Sequence, residues 1–107
     1  MTDLNDRRRG EEAKFVMDAD TAFRVAARRN RLLGQWAAEK MGLTPEETEA
    51  YRKAVVQADF EEAGDEDVIR KVLGDLTAAG VDVDEAGVRA ALEEKAVEAK
   101  RQLMSES

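Results

Sequence analysis

Cysteine and histidine are both missing from the 107 residues. Without cysteine there is no disulfide, thiolate nucleophile, iron–sulfur cluster or cysteine-held zinc. Without histidine there is no imidazole base, Ser-His pair or histidine-ligated metal. Proline occurs once and aromatic side chains make up 5% of the chain, a profile with little strand chemistry. No apolar run approaches the ~18 residues that a membrane-spanning helix needs, and the N-terminus has no secretory apolar stretch. The expectation is a cytoplasmic protein without direct membrane insertion. Hydroxyls are sparse, so acid–base work would fall to carboxylates or lysines on helix surfaces. These absences point to a protein that binds rather than an enzyme, and no metal site is expected.

What is present is charge, 38% of the chain, with 17 basic and 24 acidic side chains and a net charge of −7. A general nucleic-acid binder carries the opposite balance, so nucleic acid is not an expected partner. The length allows one domain with a modest core. Charge is split along the chain. Residues 1–40 hold nine basic and seven acidic groups, whereas residues 41–107 hold eight and 17. A mildly basic arm therefore leads into a strongly acidic remainder.

Glycines punctuate that remainder. Gly42, Gly64 and Gly80 each close a helical stretch and precede a residue able to start the next. Thr44-Pro45-Glu46-Glu47 has the order of a capping box with proline at the first helical position. Asp65 is expected to cap the helix after Gly64, and Asp84 the helix after Gly80, with Val83 and Val88 as a hydrophobic staple. Apolar spacing agrees: Tyr51, Ala54, Val55 and Ala58; Ile69, Val72, Leu73 and Leu76; Val88, Ala91, Leu92, Ala96, Ala99 and Leu103. Upstream, Leu32, Leu33, Trp36, Ala37 and Met41 form a further stripe. The reading is an all-α protein, a small four-helix bundle over 20–107, with helices near 20–41, 45–63, 66–79 and 85–104.

Residues 1–19 are read apart, as a flexible or frayed arm. Leu4, Phe15, Val16 and Met17 supply too little apolar surface there to offset an ordering entropy of roughly 1–2 kcal/mol per residue. There is no GxxxxGK[ST] or GxGxxG loop, so an anion site would be built from side chains and helix N-termini. Arg24, Arg28, Arg29 and Arg31 are the cationic candidates. Like charges at these spacings repel, and either acidic residues of the bundle or a bound anion would relieve them. Asp82, Asp84, Gly87 and Glu93 match part of a calcium-loop template, but Ala86 and Ala90 occupy ligand positions. Trp36, one turn after Leu32 and Leu33, reads as core. Phe60 is expected to close the end of the bundle or meet the first helix.

Two stretches carry more than composition. Ala27-Arg28-Arg29-Asn30-Arg31-Leu32-Leu33-Gly34-Gln35-Trp36-Ala37-Ala38 and Ala58-Asp59-Phe60-Glu61-Glu62-Ala63-Gly64-Asp65-Glu66-Asp67-Val68 closely resemble signature segments of the zeta subunit of alphaproteobacterial F-type ATP synthases. Asp6-Arg7, Glu12 and Lys14-Phe15 also look like that family's start, and the resemblance spans nearly the whole chain. It implies a four-helix bundle that binds the catalytic head of the ATP synthase, peripheral to the membrane, and inhibits ATP hydrolysis. It implies that the N-terminal segment enters a catalytic interface, which here assigns the inhibitory arm to residues 1–19. Arg7, Arg8 and Arg9 would be its acid-seeking contacts, together with Lys14, and Phe15, Val16 and Met17 its anchors. The resemblance further implies ADP or ATP as a regulatory ligand rather than a required cofactor, at a site centred on Arg28, Arg29 and Trp36. The free protein is expected to be a monomer. The alternative is a nucleotide-responsive bundle without strong ATPase inhibition.

Overall fold

The computed structural model describes residues 19–59 and 65–106. These form four helices, α1 (Ala19–Met41), α2 (Pro45–Ala58), α3 (Glu66–Ala78) and α4 (Glu85–Glu106), and no strand. The four-helix, all-α expectation holds. The arm expected over residues 1–19, with Arg7, Arg8, Arg9, Lys14, Phe15, Val16 and Met17, lies outside the described residues apart from Ala19, which opens α1. Phe60 and Gly64 lie outside them too.

Helix ends follow from their own residues. The Glu47 N–H donates to the Thr44 hydroxyl at 3.1 Å, and the Thr44 N–H donates to the Glu47 carboxylate at 2.9 Å. The capping box is complete, and Pro45 at the first helical position forfeits no bond. At the end of α1 the Leu43 N–H reaches the Ala38 carbonyl and the Gly42 N–H the Glu39 carbonyl. The same pair of bonds, Val81 to Leu76 and Gly80 to Thr77, ends α3. Both are Schellman closures, and both need the left-handed backbone that Gly42 (φ 72°) and Gly80 (φ 82°) adopt. The Asp84 carboxylate accepts the Gly87 N–H at 2.9 Å, so it caps α4 as expected.

Of the helix-end expectations, one falls partly outside the described residues and one needs correction. The second helix, expected over about 45–63, is described over Pro45–Ala58 with Asp59 as its C-cap, and residues 60–63 lie outside the described residues. Asp65 stands at the N-cap position of α3 but makes no side-chain cap. Its carboxylate is taken by Arg29 at 3.1 Å, a charge-assisted bond that outcompetes a neutral backbone donor.

The apolar stripes meet in one core. Leu33 and Ala37 of α1, Val55 of α2, Val68, Ile69, Val72 and Leu76 of α3, and Val88, Ala91 and Leu92 of α4 are all buried together. Trp36, Met41, Tyr51 and Leu73 pack against this cluster from its edges. The Tyr51 hydroxyl donates to Asp75 at 2.8 Å, and burial, then that neighbouring carboxylate, push the phenol pKa upward. Helix α1 touches all three others, whereas α2 and α4 lie on opposite sides and do not meet.

Arg89 ties the starts of α3 and α4 together, donating to Glu66 at 2.8 Å and to Glu85 at 2.8 Å. The Arg89 hydrogen bond, reinforced by its charge, lowers the Glu66 carboxyl below its ordinary 4.5. A depressed folded value stabilises above the unfolded pKa, and the contribution is lost as pH falls through the folded value. The small stability gap between wild type and Glu66→Gln should therefore be present at pH 7 and close below pH 4.5. Paired thermal melts across that range check it, and a gap that widened in acid would contradict the assignment.

Candidate functional site

Helix α1 aims its arginines in two directions. Arg24, Arg28 and Arg31 follow at i, i+4 and i+7 and so share a face. That face forms one wall of an open groove of about 570 Å³, which α2 completes with Arg52 and the last turns of α4 with Gln102, Leu103 and Glu106. Phe23 stands at the groove's edge, 54% exposed, and Ala27 and Leu32 supply its apolar surface. The Arg28 guanidinium donates to the Glu106 carboxylate at 2.6 Å and approaches Gln102 at 3.4 Å. Arg31 and Arg52 share the Glu49 carboxylate at 3.5 and 3.6 Å. Arg24 meets Asp20 at 3.6 Å, with both side chains largely exposed.

Arg29 points elsewhere. Its side chain is only 13% exposed and reaches Asp59 at 3.6 Å and Asp65 at 3.1 Å. One guanidinium thus clamps the end of α2 to the start of α3 across residues 60–64. The Asn30 side-chain oxygen Oδ1 accepts from the Arg29 Nε at 3.0 Å and fixes its orientation. Asn30 is fully buried and its Nδ2 has no partner among the described residues, a desolvation cost of about 1–3 kcal/mol.

Trp36 lies on the core's edge with the Lys40 ammonium 5.2 Å from its ring centroid. Arg28, Arg29 and Trp36 are therefore not brought to one place. Arg28 faces the groove, Arg29 is committed to two aspartates, and Trp36 packs against the core. Neighbouring residues on a helix point about 100° apart, a signal that could have separated Arg28 from Arg29 beforehand. Each of the four expected cations of α1 has an acidic partner within the chain, so the repulsion is relieved intramolecularly. What went unseen were Arg52 and Glu106, lone charges on mixed-charge helices that only tertiary packing brings to Arg28 and Arg31.

Among the described residues no group of three or more acidic side chains is placed to hold a metal ion. No helix among them is long and apolar enough to cross a membrane. The model of the family described as ATPase inhibitor subunit zeta matches residues 1–102. The chain belongs to that family. The match takes in residues 1–18, all of α1 with its two arginine faces, and α4 as far as Gln102. A solution NMR structure of a protein 53% identical to this chain has a TM-score of 0.70 and covers 79% of this chain and 96% of its own. No curated protein matches the sequence. Membership makes the chain an ATPase inhibitor subunit by family, a regulatory role, and implies an ATPase as its partner.

Proposed function

We propose that this inhibitor-family subunit blocks ATP hydrolysis by the F-type ATP synthase of alphaproteobacteria, inserting its N-terminal segment into a catalytic interface while the bundle anchors it. The observation that carries this reading is the extent of the family match, which begins at residue 1 and so includes the arm as well as the bundle. Arg7, Arg8, Arg9 and Lys14 would contact acidic groups of the interface, and Phe15, Val16 and Met17 would supply its apolar anchors. Joined to the bundle, the arm acts at high effective concentration once the bundle has docked. The subunit works by binding and performs no catalysis. It is cytoplasmic, monomeric when free, and peripheral to the membrane-bound enzyme. ADP or ATP is its regulatory ligand, and of Arg28, Arg29 and Trp36 only Arg28 opens onto a groove that could receive one.

The test is ATP hydrolysis by the purified cognate enzyme, titrated with the full chain and with a form lacking Met1–Phe15, each with and without ADP. Inhibition by the full chain alone is the expected result, shifted in midpoint by ADP. Equal inhibition by the truncated form would overturn the role of the arm. No inhibition by either form would favour the nucleotide-responsive bundle, for which the arginine-lined groove is the supporting observation.

A further inference from the structure

The groove between α1 and α4 has a composition that the core does not explain. It sets an apolar strip, from Phe23, Leu32 and Leu103, beside four guanidiniums in a chain whose net charge is −7. We infer that this groove docks an acidic amphipathic helix on the ATPase head, an assignment that rests on the inhibitory reading above and names the bundle's own contact.

Three observations favour that occupant. Arg24, Arg28 and Arg31 span two helical turns, about 10 Å along the axis. A facing helix with carboxylates one turn apart meets all three, and its apolar neighbours meet the strip. Among the described residues, the acidic groups do not saturate the site. Glu49 is divided between Arg31 and Arg52 at 3.5 and 3.6 Å, and the Arg24–Asp20 pair is long and exposed. Glu106, finally, shows the groove accepting a carboxylate carried by a helix, at 2.6 Å from Arg28. It does so from the last turn of α4, where a negative charge opposes the helix dipole, so it is a displaceable placeholder.

The experiment uses the full chain and the purified cognate head. Benzoylphenylalanine is placed at Phe23, at Val97 as an exposed control outside the groove, and at Phe15 to report on the arm. The expected result is photolabelling of an acidic helix of the head from position 23 and none from position 97. In parallel, Arg28→Gln combined with Arg31→Gln should weaken association about tenfold while the circular-dichroism spectrum keeps its wild-type helical signal, and Glu106→Gln should strengthen it. Labelling from position 15 with none from position 23 overturns the groove assignment and leaves the arm reading intact. Labelling from neither position overturns both. Labelling from position 23 onto this chain's own residues 1–18, or onto a second copy, gives the groove to that occupant and overturns the proposal. So does saturable ADP binding that the double arginine variant abolishes while affinity for the head is unchanged.

Discussion

Gly34→Leu should destabilise the bundle by about 3 kcal/mol, the upper end of the usual cost of overpacking. Gly34 is buried where α1 crosses α2, and a Cβ there would lie 2.9 Å from the Arg52 α-carbon and 3.4 Å from the Val55 side chain. The nearest atom belongs to the backbone, so no rotamer change relieves the clash and α2 itself has to move. Helix propensity acts the other way, because glycine inside a helix costs about 1 kcal/mol relative to alanine. The close contact outweighs that gain even for Gly34→Ala. Gly74 supplies the contrast. It sits on the exposed side of α3 with nothing within 4 Å of an added Cβ, so Gly74→Ala should stabilise by about 0.5–1 kcal/mol. Urea unfolding followed by circular dichroism reads both, and a wild-type midpoint for Gly34→Leu would show that the helices do not touch there.

Leu33→Ala, one residue away, should cost about 2–5 kcal/mol for a different reason. Leu33 is fully buried in the cluster that all four helices share. Truncation forfeits the transfer free energy of its side chain and leaves a cavity that its neighbours fill only in part. A domain of this length has a total stability of roughly 5–15 kcal/mol, so this single change removes a large share. The same urea titration measures it, and a loss below about 1 kcal/mol would place Leu33 away from the core centre. On the function proposed above, Leu33→Ala should lower inhibition on warming, whereas removal of Met1–Phe15 should lower it at every temperature.

These effects divide along the line between local and distant chemistry. The Thr44–Glu47 box, the Gly42 and Gly80 closures and the Asp84 cap each depend on residues within about five positions, and all were legible in the sequence. The core stripes were legible as well, since burial follows the 3.6-residue period. The groove and the clamp were not. Arg28 finds Glu106 across 78 positions, and Arg29 joins Asp59 to Asp65 between two helices whose relative placement no periodicity encodes. Asp65 shows the two scales in conflict. Its local signal said cap, and the distant guanidinium took it.

Helix α1 touches every other helix, as α3 also does, and it is the one to which residues 1–18 are joined. Tension applied to those residues by a turning partner would therefore enter the bundle along the axis of α1, a rod about 34 Å long. Sliding that rod out shears three helix contacts at once instead of peeling one hairpin from the edge. Had the arm been joined to α2 or α4, which never meet, a pull could have stripped away one side and left the rest standing. On the function proposed above, this wiring would make a brake whose handle and body yield together.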